Sequence, residues 1–390
     1  MNLRILVVLF TFIILLLSPF SVQASASIQD KVIDEQLDRL GIEEIKEFWD
    51  AIVEDYGGYL PESQKGSFMD FVKGDKKFSI DQWLNGLLKF LFHELIANGK
   101  LLGTLIMLTI FCTILQSLQN AFEESTVSKV AYALIYMVLI IIALNSFRVA
   151  ITYTEEAIQT MISFIIALVP LLLALIAVSG GVLSAAFFHP IIIFLMNTSG
   201  LLIQYVVLPM LFLAALLSIV STLSDHYKVT QLAELLRKTS IALLGIFLTI
   251  FLGVISVQGA STAVADGIAI RTAKFVTGNF IPVVGRMFTD ATDTVIGASA
   301  LLKNTVGIVG VVMLLLIVAF PAIKVLSLAF IFKFAAAILQ PLGGGPVIKC
   351  LDIIGKSVIY IFAALALVSL MFFLSLTIII AAGNITLMMR

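Results

Sequence analysis

The sequence is poor in charge, in histidine and in cysteine. Only 13% of its 390 residues are Asp, Glu, Lys or Arg, while 60% are hydrophobic and the mean hydropathy is +1.11. Soluble domains carry about 25% charge and about half apolar residues, so a soluble fold is excluded and the chain reads as an integral membrane protein. With a formal net charge of −1 and no block of like charge, it has no basic surface for nucleic acid and no acidic interaction tail. Its two cysteines cannot build a disulfide framework: Cys112 lies in an apolar run and Cys350 beside a Gly/Pro turn, and both read as small hydrophobes. The three histidines, His93, His189 and His226, fall in three different settings without any ligand spacing, which leaves no metal or cofactor site to build.

Catalytic motifs are also missing. Gly355-Lys356-Ser357 imitates the end of a phosphate-binding loop, but Cys350 stands where that loop needs its first glycine. Gly297-Ala298-Ser299-Ala300 lacks the final glycine of an intramembrane serine nucleophile. No enzymatic chemistry is indicated, and the expected fold class is all-α: a polytopic helical membrane protein with seven to nine transmembrane helices and a small N-terminal helical extracytoplasmic region.

What is present begins with residues 1–26. Arg4, an apolar stretch from Ile5 to Leu17, Pro19 and a run of small residues ending at Ala26 have the order of a secretory signal peptide. The apolar core is shorter than the roughly 20 residues a spanning helix needs, which favours cleavage over an uncleaved anchor. In both cases the following residues lie outside the cytoplasm. Residues 27–98 hold 15 of the 25 acidic residues against 8 Lys and Arg. Apolar positions recur there at helical spacing: Ile33, Leu37 and Leu40, then Ile45, Phe48, Trp49, Ile52 and Tyr56. Ser79-Ile80-Asp81-Gln82 has the form of a capping box opening a helix with Trp83, Leu87 and Leu91 on one side. This region is either a docking domain for an extracytoplasmic partner or a solvated cap, and with so few core positions it is marginal alone.

The membrane body divides into 99–258, a first helix bundle with an interfacial helix near 224–239, and 305–390, the C-terminal membrane helices. Nine apolar runs are visible: Leu101–Leu118, Val130–Phe147, Met161–Val178, two within Val182–Leu223, Ile241–Val257, Val306–Ile323, Leu326–Leu339 and Val358–Ala382. Pro190, Asn197, Gly200 and Pro209 interrupt the region from Val182 to Leu223, suggesting two helices with a kink. Asn145, Arg148, His189, Asn197, Gln204, Lys324, Lys333 and Gln340 are polar outliers in these runs; interhelical hydrogen bonding or a conduction path explains such residues.

Between the two bundles, residues 259–304 are polar and Pro/Gly-containing. The longest uncharged run within them, Phe275 to Gly285, is too short to span, so the segment is expected to be re-entrant or interfacial. Its candidate path-lining or partner-contact residues are Lys274, Pro282, Arg286, Asp290, Asp293, Lys303 and Asn304.

The strings GNFIPVVGRMFTDATDTVIGAS, LLKNTVGIVG, FPAIKVLSLA, LQPLGGGPVIKCLD and SLMFFLSLTIIIAAGNITLMMR resemble the stage III sporulation protein AE family of endospore-forming bacteria, over nearly the whole chain. The resemblance implies a multi-pass protein of the mother-cell membrane around the forespore. It further implies a place in a secretion-like channel complex with ring-forming subunits, a separate ATPase and a forespore membrane partner, as an export gate or a platform. It supplies no catalytic residues. A self-contained secondary transporter, with a path lined by 259–304, is the rival expectation.

Overall fold

Residues 42–61, 66, 68–72, 80–121, 126–223, 229–280, 284–342 and 345–388 are described by the computed structural model. They form α1 (Glu43–Tyr56), α2 (Phe68–Val72), α3 (Ile80–Ala97), α4 (Gly99–Ala121), α5 (Thr126–Val178), α6 (Val182–Leu202), α7 (Leu208–Leu223), α8 (Thr230–Phe280), α9 (Val284–Leu339) and α10 (Pro346–Met388). No strand occurs among the described residues, and the all-α polytopic class stands. The helix expected over Ile33–Leu40, the signal peptide and Ser79 of the capping box lie outside the described residues.

Among the described residues the nine apolar runs fall on six helices long and apolar enough to cross a membrane, against an expected seven to nine spans. The polar intervals between runs do not break the helices. Val130–Phe147 and Met161–Val178 join through Arg148–Thr160 into the single 53-residue α5, about 80 Å long at 1.5 Å per residue. The runs on either side of Lys324 likewise merge into the 56-residue α9. Pro170, Pro190 and Pro321 sit inside helices, where each removes one backbone N–H from the helical ladder. The interruption between Val182 and Leu223 is a π-helical turn, Ile203–Val207, joining α6 to α7, so the rod bulges without ending.

Long-range pairs give the helix directions. Lys303 meets Asn384 and Lys333 meets Asp352, which makes α9 and α10 antiparallel, whereas Arg237 over Tyr360 and Phe251 beside Phe372 make α8 and α10 parallel. The helices approach closely where glycine allows it: a Cβ on Gly310 would stand 2.5 Å from Leu168 Cδ2, and one on Gly307 2.7 Å from Ile380 Cδ1.

The acidic N-terminal helices are seated on this bundle. In α1, Ile45, Trp49 and Ile52 are buried, as their spacing predicts, and the Trp49 indole donates to the Gly66 carbonyl at 2.7 Å. Tyr56 stacks on Phe320 of α9 with centroids 3.9 Å apart, Phe90 meets the same ring edge-on at 5.1 Å, and Phe48 meets Phe164 of α5. A region too small to hold a core of its own thus borrows aromatic rings from α5 and α9. Each such ring contributes about 1.5–3 kcal/mol when fully buried. On α3, Trp83, Leu87 and Leu91 are half-buried, while Leu84, Leu88, Phe92 and Ile96 point outward as a second apolar stripe.

Candidate functional site

The end of the bundle around the α5–α6 turn gathers buried charge where apolar side chains would cost less. Gly180 turns the chain with φ 97°, a conformation that suits glycine, and Gly181 is the N-cap of α6. Like any helix, α6 opens with unsatisfied N–H groups and a partial positive charge. Asp266, reaching over from α8 and itself buried, accepts from Leu183 N–H at 2.9 Å and from Ser184 N–H at 3.0 Å. The carboxylate is therefore a capping group supplied in trans by another helix. Gly181 makes room for Ile176 beside it, since a Cβ there would stand 2.5 Å from the Ile176 side chain, while the Asp266 carboxylate would lie at ordinary contact distance, 3.5 Å.

On the other side of Ile176 lies Lys303. Its side chain is wholly buried and its ammonium donates to the Asn384 side-chain oxygen at 2.7 Å. A Cβ on Gly383 would fall 2.8 Å from this ammonium and 3.1 Å from Ile176, so the space is kept by the absence of a side chain. A buried ammonium is costly in a membrane bundle unless hydrogen-bonded. The side-chain oxygen Oδ1 of the neighbouring Asn304 is buried with no partner among the described residues.

Of the residues singled out in the sequence, Lys303 and Asn304 therefore enter this buried end. Lys274, Arg286, Asp290 and Asp293 lie on helical backbone of α8 and α9, with side chains outside the described residues, and Pro282 is outside them altogether. Sequence reasoning passed over Asp266 and Asn384. A signal for the first was available: Asp266 is the only acidic residue between Glu234 and Asp290, and an isolated carboxylate in apolar surroundings needs a strong donor set.

The polar outliers elsewhere divide in two. Lys333 pairs with Asp352 at 2.6 Å and Lys324 lies over the Tyr56 and Tyr153 rings, whereas Asn145, Arg148, His189, Asn197, Gln204 and Gln340 are exposed. Among the described residues no group of three or more His, Cys, Asp or Glu is placed to hold a metal.

The six long apolar helices among the described residues, joined at one end by a trans-capping carboxylate and a buried lysine, define a multi-pass helical membrane protein. The comparisons with known proteins then place it: the model of the stage III sporulation protein AE family matches residues 63–383, and the chain belongs to that family. It is 74% identical over 351 residues, 90% of this chain and 88% of the relative, to "Stage III sporulation protein AE" of Bacillus subtilis (strain 168). No solved structure matches it.

Proposed function

We propose that the chain is a non-enzymatic membrane subunit of a sporulation channel, a secretion-like complex linking mother cell and forespore and required for forespore development. It sits in the mother-cell membrane around the forespore and associates there with ring-forming subunits, a separate ATPase and a forespore membrane partner. Family membership supplies the context. The observation that carries the reading is the height of the apolar outer surface.

On α3 and α4, outward-facing apolar residues run from Leu84 through Phe92, Met107 and Phe111 to Leu118, a rise of about 50 Å. On α8 a separate outward-facing apolar stripe runs from Ile241 through Val257 to Ile268, about 40 Å tall on its own, along a helix that does not pack against α4 as a neighbour. A bilayer covers only about 30 Å of hydrocarbon. One band of this surface therefore sits in lipid and the remainder needs protein cover, which suits a platform or gate subunit and ill suits a transporter complete in itself. The outward-facing His189, Asn197 and Gln204 on α6 and its π turn support protein rather than lipid on that face.

Isolation of the protein from sporulating membranes in mild detergent tests this reading. Recovery with ring and ATPase subunits is expected, and recovery of an active transporter without them would favour the rival function.

A further inference from the structure

At the end of the bundle opposite the Asp266 and Lys303 cluster, the C-terminus of α7, the first turns of α8 and α10 and the last turns of α9 frame a cavity of about 750 Å³. Its walls carry Arg237, Lys333, Lys349 and Lys356 against the single carboxylate of Asp352, so four positive charges minus one negative leave three. Asp352 is already bound to two of them, Lys333 at 2.6 Å and Lys356 at 2.7 Å. Arg237 is held in place from two directions: one guanidinium N–H reaches Ser218 Oγ at 3.3 Å, and the group lies 5.0 Å from the Tyr360 ring centroid. Lys349 is exposed, with no side-chain partner among the described residues. Ser221 and Thr230, hydrogen-bonded to each other at 2.7 Å, add hydroxyls to the rim.

A preorganised guanidinium, surplus ammonium groups and hydroxyl donors around one concavity match the tetrahedral oxygens of phosphate better than a single carboxylate. The volume falls within the range of small-ligand sites, roughly 300–1,000 Å³, and is larger than bare phosphate requires. Ala336, Ala337, Ile348 and Ile353 give it an apolar wall. Gln116 of α4 touches the same end at Gly345, and its basic character marks it as the cytoplasmic end by the positive-inside rule. Basic pockets between helices on that side recognise anionic head groups.

We propose that this cavity binds a phosphate ester, presented by an anionic phospholipid of the inner leaflet or by a small soluble phosphate compound. The inference stands on the cavity alone and is independent of the channel reading. Native mass spectrometry of the delipidated full-length chain in a neutral detergent tests it, with phosphatidylglycerol, phosphatidylcholine and glycerol phosphate as probes.

One phosphatidylglycerol is expected to bind in preference to phosphatidylcholine, and Arg237→Gln and Lys349→Gln each weaken it about tenfold, the equivalent of one charge-assisted hydrogen bond. Competition by millimolar glycerol phosphate identifies a soluble ester as a ligand; its failure to compete identifies the lipid. Asp352→Asn frees Lys333 and Lys356 and is expected to tighten binding, a gain that a purely structural cluster would not show. Equal retention of phosphatidylglycerol by the wild type and both Gln variants, or equal binding of phosphatidylcholine, would overturn the proposal.

Discussion

Asp266 offers the sharpest perturbation. Asp266→Ala removes a buried carboxylate that accepts from two backbone N–H groups at 2.9 and 3.0 Å and leaves both donors of α6 unpaired inside the bundle. A hydrogen bond to a charged group contributes about 1.5–3 kcal/mol, and loss of an N-cap costs about 1 kcal/mol, so the first turn of α6 should lose about 3–4 kcal/mol. Asp266→Asn keeps one acceptor and should lose about half of that. Hydrogen exchange resolves the effect at its source. Since about 1.4 kcal/mol is tenfold in an opening equilibrium, the Leu183 and Ser184 amides should exchange faster by at least a hundredfold in the Ala variant and about tenfold in the Asn variant. Amides in the middle of α5 should be unchanged. Wild-type protection of Leu183 and Ser184 in Asp266→Ala would refute the capping argument.

The other buried charge gives a double-mutant cycle. Asn384→Leu strands the Lys303 ammonium and should cost about 3 kcal/mol, Lys303→Met about 1 kcal/mol, and the pair together should recover most of the loss; thermal unfolding in detergent reads all three. Trp49→Ala removes a wholly buried indole and its bond to Gly66, about 4 kcal/mol of docking, and should expose α1 to protease while the bundle stays intact. Burial, helped by the nearby Asp55 carboxylate, pushes the Tyr56 phenol up to about 12 from 10.0. The folded state thus holds this proton more tightly than the unfolded chain, so its contribution is intact below about pH 10 and is lost as pH rises through about 12. In ultraviolet titration the late-titrating fraction of the 8 tyrosines should shrink by one residue in Tyr56→Phe.

The parts of this fold that were legible in the sequence are those with local causes. Ile45, Trp49 and Ile52 repeat at helical spacing, and Lys303 stands out as a cation beside an apolar run. What was not legible depends on contacts remote in sequence. The interval from Arg148 to Thr160 looks like a boundary because it is polar, yet the α-helical hydrogen bonds continue through it and Tyr153 and Glu156 face the docked N-terminal helices at a shared cavity. Asp266 reveals its role only when α8 runs back past the start of α6, 82 and 83 residues from its donors. Asn384 becomes meaningful because antiparallel α9 and α10 bring it to Lys303 across 81 residues.

The central claim, an apolar surface taller than one bilayer and completed by other subunits, is tested most directly by cysteine accessibility. Single cysteines replace Leu84, Phe92, Phe111, Leu118, Ile246, Val257 and Ile268, while native Cys112 and Cys350 are buried and stay silent. With the chain expressed alone in membranes, a band of about 30 Å should resist a water-soluble maleimide and the positions beyond it should react. In sporulating cells those reactive positions should become protected. Protection of every position in the isolated chain, or unchanged labelling during sporulation, would contradict the account.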